Sequence, residues 1–445
     1  MNRRDLLKTF GWMTAASTIG WSQAPTAGVR KPNILFILAD DLGISGLSCY
    51  GSDKFQTPHL DRLAARGTRY TNAYTAPLCG PSRALILTGR YAFRTGATNQ
   101  DATGLMKPTV ETMTPKVLKQ AGYTSTMIGK WGQLPLGPAE FGFDEHLRFA
   151  GSGAYWNTQD KAKSYTLNGQ KTKLEDKEYL PDVMHGRLVD FLTRHRDKPF
   201  FAYYSMSHVH TEILPTPDSA PDVDDAYADN IRYMDKLVGK LVAELDRLKL
   251  RENTLIVFFG DNGTGNNYAD VSTVRGKRLS GEKGSMLEGG ANVPLIINWP
   301  GHTPAGRVTA ELVDSTDFHP TFAELAGAKL TPATEIDGHS FVPRVHGKKG
   351  TPREWIFIQL ARQWYVRDAK FKHNQAGELF DISKAPFEEP VIPPGSRSAA
   401  AVAAQQRLQA ALQGLNPAGG ILDTGDGTGR HAGREANRKK KRQDR

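Results

Sequence analysis

The sequence is poor in cysteine, with only Cys49 and Cys79 among 445 residues. At most one disulfide can form, so the fold depends on a hydrophobic core. The apolar fraction of 39% and the charged fraction of 23% are ordinary, and the length suits a large domain with a smaller one. We expect Cys49, which lies between Gly46 and Gly51, to be a packed loop thiol.

The chain also lacks a long uninterrupted apolar run. The N-terminal apolar run that ends at Ile19-Gly20-Trp21 is too short and too interrupted for a membrane span. Because Arg3-Arg4 precedes it and Ser22-Gln23-Ala24 follows it, residues 1–24 are typical of a paired-arginine signal peptide. We therefore expect the export machinery to deliver the folded chain to the periplasm or the cell exterior. The alternative is an ordinary N-terminal helix.

A strongly basic body is absent, although the formal net charge is +10. Residues 430–445 hold eight basic and two acidic side chains, and residues 1–8 hold three basic and one acidic. The remainder is therefore nearly neutral. We interpret the basic tail as a solvated end or a weak tether to anionic surfaces, and we expect no nucleic-acid partner.

A phosphate-binding P-loop is missing as well. The glycine-rich stretch Gly281–Gly290 contains Lys283 but lacks the spacing of that motif, so a nucleotide is not indicated.

Four apolar runs of strand length each lead into polar side chains. The runs are Asn33–Ala39, Tyr123–Gly129, Phe200–Met206 and Thr254–Phe259. Helical patterns separate them, and this alternation predicts an α/β fold with a mostly parallel sheet covered by helices on both faces. In such a sheet the carboxyl ends of the strands meet at one edge, where ligands bind.

Side chains with oxygen donors follow two of these runs. Asp40 and Asp41 follow the first, and Asp261 and Asn262 follow the last. Adjacent carboxylates at the end of a buried strand repel each other and lose solvation, which predicts a cation between them. Oxygen donors favour calcium, with magnesium second. Taken alone, Asp-Asp-x-Gly is also compatible with a simple turn.

A short polar motif around Cys79 leads into an apolar segment. Its sequence is Leu78-Cys79-Gly80-Pro81-Ser82-Arg83, and the apolar segment closes with Thr88-Gly89-Arg90. We expect a helix here, capped by Ser82. A cysteine at the open end of a helix is placed for nucleophilic chemistry or anion binding. The alternative is a buried structural thiol.

The motif Cys-x-Pro-Ser-Arg followed by Thr-Gly resembles the maturation motif of the sulfatase family. The resemblance covers roughly Lys31 to Asp381 and includes Glu288-Gly289-Gly290 and Glu378-Leu379-Phe380-Asp381. It implies an alkaline-phosphatase-like fold with a large mixed, mostly parallel sheet. It also implies that a maturation enzyme oxidises Cys79 to formylglycine, which would leave no thiol there for a disulfide. The family's calcium ligands correspond to residue 79 and to Asp40, Asp41, Asp261 and Asn262.

The resemblance further implies roles around the sulfate group. Arg83 and Lys130 would steady the hydrated aldehyde, and Lys283 would bind a sulfate oxygen. His210 would bind sulfate or protonate the leaving oxygen. Assisted by Asp261, one hydroxyl of hydrated residue 79 would attack sulfur, and the other would then expel sulfate.

One position departs from the family pattern. Sulfatases commonly have histidine after the Lys-Trp pair, whereas Gly132 followed by Gln133 stands here. The missing histidine leaves His210 as the expected proton donor, or the glycine opens the pocket for the substrate.

These observations predict an exported, calcium-dependent sulfatase. We expect a sulfated carbohydrate as its substrate, with an aryl sulfate as a test compound. Two alternatives stay open: a phosphodiesterase or phosphonate hydrolase of the same superfamily, and a non-catalytic protein that binds sulfated glycans.

We place the expected domain boundaries where the composition and the predicted secondary structure change. We assign residues 25–349 to the catalytic α/β domain, 350–416 to a C-terminal antiparallel subdomain with a closing helix, and 417–445 to a flexible basic tail. Within the first domain, residues 151–181 are expected to form an inserted surface loop, in which Tyr155 and Trp156 could stack on sugar rings.

Overall fold

The structure is a computed structural model that describes residues 31–133, 136–330 and 335–430. The predicted signal peptide and residues 431–445 of the basic tail lie outside the described residues. Among the helices in these ranges, none has the length and hydropathy that crossing a membrane requires.

The strands are β1 (Asn33–Ala39), β2 (Thr68–Tyr74), β3 (Thr124–Gly129), β4 (Glu145–Phe149), β5 (Ser164–Leu167), β6 (Gln170–Lys173), β7 (Phe200–Ser205), β8 (Thr254–Gly260), β9 (Thr273–Val274), β10 (Lys277–Arg278), β11 (Leu295–Asn298), β12 (Arg307–Asp314), β13 (Ile356–Leu360), β14 (Gln363–Arg367), β15 (Phe371–Asn374) and β16 (Leu379–Asp381). The α-helices are α1 (Pro58–Ala65), α2 (Cys79–Thr88), α3 (Ala92–Thr95), α4 (Thr114–Gln120), α5 (Leu180–Arg194), α6 (Ala226–Arg247), α7 (Glu288–Ala291), α8 (Phe318–Ala326), α9 (Val342–Val345) and α10 (Ala399–Leu415).

The main sheet is mixed and has the strand order β12-β2-β11-β8-β1-β7-β3-β4-β5-β6. Its central strands β8, β1, β7, β3 and β4 run parallel, whereas β11 runs antiparallel to both of its neighbours. The α/β fold with a mixed, mostly parallel sheet, predicted from the sequence, is therefore confirmed.

The central strand β1 is buried on both faces, which explains its unbroken apolar run. Leu35 and Ile37 pack in a layer that includes α5 and α6, and Ile34 and Phe36 pack in the opposite layer with α2, α4 and α8. Full burial of each such side chain stabilises the fold by about 1.5–3 kcal/mol. The two layers hold the central strands in place, so their carboxyl ends form a rigid edge.

The register of the sheet brings these ends together. Ala39 of β1 pairs with Gly260 of β8, Leu38 pairs with Ser205 of β7, and Ser205 pairs with Gly129 of β3. The polar residues that follow all four strands therefore start at the same edge.

The second sheet is antiparallel, with the order β13-β14-β15-β16. Leu408 of α10 packs with Phe357 and Val366 of this sheet. Its Arg367 reaches the main domain, where Nη1 lies 2.7 Å from Oε1 of Glu288. A small antiparallel sheet near the C-terminus, as predicted, is therefore present.

The segment 151–181 differs from the surface loop that we predicted. Its β5 and β6 form a hairpin that extends the main sheet beside β4. Tyr155 is fully buried, and its hydroxyl donates to the backbone oxygens of Ser207 and His210. Tyr155 therefore supports the strand end that carries His210 and does not face a sugar.

Residues 417–430, the C-terminal segment, are packed against the domain and do not match the predicted flexible tail. Ile421 N donates to the backbone oxygen of Phe93 over 2.7 Å, and the buried Asp423 accepts from the side chains of Thr98 and Asn99. These long-range contacts outweigh the glycine-rich composition on which that prediction was based.

Candidate active site

The sheet edge gathers the polar residues predicted there. Asp40 and Asp41 follow β1, Lys130 follows β3, and Asp261 and Asn262 follow β8. All five side chains are buried. Because charged groups lose hydration when they are buried, each needs a partner of opposite charge or a hydrogen bond.

Helix α2 presents Cys79 at its first position, next to this edge. Cys79 is 5% exposed, and its thiol donates to Oε1 of Gln100 over 3.2 Å. Gly80 N donates to the same oxygen over 3.0 Å. The open end of α2 is therefore held by a glutamine from another part of the chain.

The predicted cap at Ser82 is wrong, because the helix begins three residues earlier. Leu78 occupies the cap position in an extended conformation, and Ser82 lies inside the first turns. Its hydroxyl donates to the backbone oxygens of Ala76 and Leu78, at 2.7 and 2.9 Å. These bonds fix the entry of the chain into the helix instead of satisfying its terminal N–H groups.

Arg83 lies one turn beyond Cys79 and is fully buried. Its Nη2 and Nε donate to Oδ2 of Asp261, at 2.6 and 3.1 Å. Its Nη1 donates to the backbone oxygen of Lys130 over 2.8 Å and to the hydroxyl of Ser205. A two-point contact with a carboxylate and two further bonds give the guanidinium one orientation, so Arg83 ties α2 to three strand ends.

Two lysines neutralise the carboxylates of the Asp-Asp pair. Lys130 Nζ lies 2.8 and 2.9 Å from the two oxygens of Asp40, and Lys283 Nζ lies 2.6 and 2.7 Å from those of Asp41. Burial alone would raise the pKa of Asp41, but the charges of His210, Lys283 and Lys130 hold that pKa well below its usual value. Asp41 is therefore ionised.

Asp261 titrates differently from Asp41. Burial and the nearby Asp40 carboxylate raise the pKa of Asp261 to about 6, although Arg83 and Lys130 oppose the shift. The two carboxyl groups at this edge therefore differ in their affinity for a proton.

Of the two histidines after β7, only His210 faces the site. Its Nε2 lies 3.6 Å from Oδ2 of Asp41, and its Nδ1 donates to the backbone oxygen of Thr211. Burial lowers the pKa of His210 to about 3, despite the Asp41 charge. His208 is fully buried and hydrogen-bonds Tyr179 through Nε2, so it belongs to the core.

The donor atoms fit a hard divalent cation. One ligand atom each from Asp40, Cys79 and Asp261 lies within 4.8 Å of the others, and the same holds for Asp40, Asp41 and His210. Asn262 Oδ1 is buried at the same strand end and has no hydrogen-bond partner in the described part of the chain. An amide oxygen beside three carboxylates is a donor set typical of calcium.

The charges of the site also suit an anion. Three carboxylates, Asp40, Asp41 and Asp261, face the three cations Arg83, Lys130 and Lys283. A divalent metal ion would leave the site with a positive excess. The adjoining cavity measures about 240 Å³ and is lined in part by Cys79, His210 and Lys283.

Sequence reasoning missed Gln100 and assigned no role to Gln133, although both glutamines lie around Cys79. Gln100 accepts from the thiol, and Gln133 donates from Nε2 to the backbone oxygen of Gly80 over 2.8 Å. Glutamine is an ordinary residue in a loop, so no local pattern marked Gln100. For Gln133, the available sequence signal was the absence of the common histidine after the Lys-Trp pair, at the neighbouring position 132.

Gly132 has a steric reason to be glycine. Its φ is +79°, and a Cβ atom there would lie 2.9 Å from Cδ of Arg83. Histidine at this position would require a rare backbone conformation and a displaced Arg83. The packing around Arg83 therefore accounts for glycine, in place of the family's common histidine, at this position.

Comparisons with known proteins agree with this geometry. A family model described as Sulfatase matches residues 32–328, and one described as N-sulphoglucosamine sulphohydrolase, C-terminal, matches residues 280–392. Mouse (Mus musculus) steryl-sulfatase is 32% identical over 443 residues, covering 77% of this chain and 70% of the relative. The N-acetylgalactosamine-6-sulfatase of Canis lupus familiaris is 33% identical over 385 residues, covering 78% and 72%.

Among solved structures, Ps i-CgsB in complex with k-i-k-neocarrahexaose superimposes with a TM-score of 0.75. It is 27% identical, and the match covers 89% of this chain and 96% of that one. The Sulfatase model spans the whole edge of the sheet and the helix that carries Cys79. The chain therefore belongs to the sulfatase family and hydrolyses sulfate esters.

Proposed function

We propose that this sulfatase is exported and removes sulfate from carbohydrates, using a formylglycine made from Cys79 and a bound calcium ion. The observation that carries the proposal is the position of Cys79. It lies at the first turn of α2, within 4.8 Å of carboxylate oxygens of Asp40 and Asp261, and it lines the cationic cavity.

A formylglycine at position 79 would supply a hydrated aldehyde whose hydroxyl is the nucleophile toward sulfur. Arg83 and Lys130 pair with Asp261 and Asp40, whose carboxylates lie within 4.8 Å of Cys79, and they would stabilise negative charge at that position. Asp261 has a carboxylate oxygen within 4.8 Å of the Cys79 sulfur and would accept the proton of the attacking hydroxyl.

Calcium would be held by Asp40, Asp41, Asp261 and Asn262, and it would withdraw electron density from the sulfate oxygens. When a bound cation shares the carboxylates of Asp40 and Asp41, N–H groups of Lys130 and Lys283 become available to donate to the sulfate. Fixed donors in a site that excludes water need no reorganisation during the reaction, which is why they lower its barrier.

His210 is proposed as the group that protonates the leaving oxygen. Its Nδ1 proton is committed to the backbone oxygen of Thr211, so the proton must come from Nε2. Nε2 carries a proton only in the imidazolium form. An anionic sulfate ester beside the ring would favour this form.

The carbohydrate assignment is supported by relatives whose names specify sugars. The canine relative is an N-acetylgalactosamine-6-sulfatase, and Ps i-CgsB was crystallised with a neocarrahexaose. The mouse relative is a steryl-sulfatase, so a steroid sulfate belongs in the same substrate screen.

The first test is the mass of the peptide that contains residue 79, taken from protein produced together with a formylglycine-generating enzyme. We expect formylglycine in place of cysteine. The matured protein should release sulfate from 4-nitrophenyl sulfate and from some members of a panel of sulfated saccharides, and Cys79→Ala should release none. Faster turnover of a phosphodiester than of any sulfate ester would contradict the proposal.

Export is tested separately by cell fractionation. We expect the mature chain outside the cytoplasm, beginning near residue 25, and we expect replacement of Arg3 and Arg4 by lysine to retain it inside. Cytoplasmic localisation of the wild-type chain would refute this part of the proposal.

A further inference from the structure

We propose that Gln100 is a further catalytic residue, which holds residue 79 as the hydrated aldehyde by accepting a hydrogen bond from one of its hydroxyl groups. The inference rests on the proposed function, because it gives a partner to the formylglycine proposed at position 79. Gln100 comes from a segment outside the motif around Cys79, and its side chain lines the same cavity.

The amide of Gln100 can face residue 79 in only one orientation. Its Oε1 accepts from Gly80 N over 3.0 Å, and a backbone N–H group can only donate. The amide oxygen, and not the NH2 group, must therefore face the first turn of α2. The same oxygen lies 3.2 Å from the sulfur of Cys79, so the side chain of residue 79 meets a hydrogen-bond acceptor.

An acceptor at this place distinguishes between the two forms of formylglycine. The sulfur of Cys79 stands where an oxygen bonded to the same Cβ atom would lie in that rotamer. A hydroxyl oxygen there would donate to Oε1 of Gln100, whereas a carbonyl oxygen carries no proton and would leave two acceptors facing each other. Gln100 therefore favours the hydrate, which carries the nucleophilic hydroxyl, over the free aldehyde.

Gly80 leaves the space that this contact needs. A Cβ atom at position 80 would lie 2.7 Å from Nε2 of Gln100 and 2.9 Å from its Oε1. Position 80 is also the one that the Cys-x-Pro-Ser-Arg motif leaves open. A larger side chain there would push the amide away from residue 79, so the glycine belongs to the same arrangement.

The backbone of Gln100 is held from two other parts of the chain. Gln100 N donates to the backbone oxygen of Gly429 over 2.8 Å. The hydroxyl of Thr103 lies 3.0 Å from the backbone oxygen of Gln100 and 3.3 Å from that of Gly132, where sulfatases commonly have histidine. Because its backbone is fixed, Gln100 presents its acceptor to residue 79 without reorganisation.

The test measures which form residue 79 takes in the matured, calcium-loaded protein. The chain has only two cysteines, so cysteine labelled with ¹³C at Cβ reports on positions 49 and 79 alone. The resonance of a hydrate carbon is well separated from that of an aldehyde carbon and from that of the thiol-bearing carbon of Cys49. The ratio of hydrate to aldehyde can therefore be read from one spectrum.

Gln100→Leu and Gln100→Ala both remove the acceptor. We expect the hydrate-to-aldehyde ratio to fall about fivefold in each, which is the effect that the net worth of one hydrogen bond implies. With 4-nitrophenyl sulfate, kcat should fall about fivefold and KM should stay within about twofold, because the reacting hydroxyl loses its fixed orientation.

Gln100→Glu is the conservative variant, because it keeps an oxygen acceptor at the same place. We expect it to retain the hydrate and the kcat of the wild type. Its carboxylate would repel the anionic ester, so KM should rise about fivefold. This separation of kcat from KM distinguishes a contact with the nucleophile from a role in packing alone.

Thr103→Val is the matched control. It loosens the backbone of Gln100 and leaves the amide in place, since valine has the shape of threonine without the hydroxyl. We expect the wild-type ratio of hydrate to aldehyde. An equal fall of this ratio in Thr103→Val and Gln100→Leu would overturn the inference, and so would an unchanged ratio in both Gln100→Leu and Gln100→Ala.

The mass of the peptide that contains residue 79 separates these outcomes from failure of the proposed function. An intact Cys79 after production with a formylglycine-generating enzyme would refute both, since no hydrate could form. A formylglycine at position 79 in a protein that releases no sulfate would refute the proposed function, and the spectrum would still decide the role of Gln100. Sulfate release with a ratio that does not depend on Gln100 would refute the inference alone.

Discussion

Lys130 and Asp40 form a buried ion pair, in which Nζ lies 2.8 and 2.9 Å from the two carboxylate oxygens. The two side chains are 1% and 0% exposed. Neither residue is near the other in sequence, so the pair exists only because β1 and β3 end at the same edge of the sheet. The pair couples the predicted metal ligand Asp40 to a predicted sulfate-site cation.

Replacing Lys130 with methionine tests this coupling. We expect sulfate release to fall about a hundredfold or more, because one preorganised donor to the developing charge is lost. Removing one partner from a buried pair costs about 3–5 kcal/mol of unfolding free energy in the metal-free protein. Calcium should restore part of that loss, since it provides Asp40 with another cation.

Activity assays and urea unfolding with and without a chelator measure these effects. Lys119→Met is the control, because Lys119 forms an exposed pair with Asp144. Equal losses of unfolding free energy in the two variants would show that the buried Lys130–Asp40 pair stabilises the protein no more than the exposed Lys119–Asp144 pair does.

Calcium binding should raise the melting temperature of the protein. A ligand that binds only the folded state at a hundred times its Kd stabilises that state by about 2.7 kcal/mol. We expect a smaller effect from magnesium, because it demands near-octahedral geometry and gives up its water reluctantly, whereas calcium accepts a larger and more flexible set of oxygen ligands. Asp41→Asn should abolish most of the calcium-dependent shift.

Asp235→Asn separates metal binding from general destabilisation. Asp235 accepts from the first N–H groups of α1, at His59 and Leu60, away from the proposed metal ligands. We expect a lower melting temperature for this variant and an undiminished calcium shift. Thermal unfolding at matched free calcium measures both, and a shift that survives in Asp41→Asn would argue against the assigned ligands.

Substitution of Gly132 should displace Arg83. Gly132→Ala introduces a Cβ atom 2.9 Å from Cδ of Arg83 in a backbone conformation with φ of +79°. We expect lower kcat, since the bonds between Arg83 and Asp261 must shift. The strained φ itself costs about 1 kcal/mol of unfolding free energy.

Gly122→Ala is the matched control for backbone strain. Its φ is +84°, but a Cβ atom there meets nothing within 4 Å. The control should lose a similar amount of stability and keep its kcat. If both variants were equally active, contact with Arg83 would not explain the glycine.

Acid should destabilise the protein through its buried histidines. Burial lowers the pKa of His319 to about 4, and Thr114 hydrogen-bonds its Nδ1 over 2.9 Å. Between pH 6.5 and 4 the unfolded chain binds a proton that the folded chain excludes, so the unfolding free energy falls as pH falls through this window. This group accounts for about 2 kcal/mol between pH 7 and pH 5.

His319→Gln should remove that share of the pH dependence. Urea unfolding at several pH values gives the slope for both proteins in a chelator, which keeps metal binding out of the comparison. An identical slope in the variant would mean that His319 accepts its proton in the folded state as well.

The residues at the edge of the sheet could be predicted because their signals are local. Polar residues follow each apolar run closely. Because β8, β1, β7 and β3 are parallel neighbours, their carboxyl ends bring these polar residues to one edge of the sheet. Knowledge of a family motif then assigned Cys79 and Arg83 to the same place. In the structure, both residues lie beside Asp261 and Asp40.

The residues that sequence reasoning missed depend on contacts between distant segments. Gln100 reaches Cys79, and Gly429 reaches Gln100, across separations that no local pattern encodes. For the same reason, Tyr155 was placed on the surface, although the structure buries it against the end of β7. Polar composition describes a segment's average and does not indicate which of its side chains finds a buried partner.

The centre of the sheet joins stretches of chain that are synthesised far apart in time. Asn33 of β1 pairs with Thr254 of β8, 221 residues later. Contacts that close such long loops form slowly, because the chain loses conformational entropy before the strand pairing contributes favourable free energy. Until β8 has been synthesised, Asp261 cannot join Asp40, so the buried surroundings of Cys79 are incomplete. If Cys79 is converted to formylglycine, as we propose, this delay would leave the cysteine accessible to the modifying enzyme.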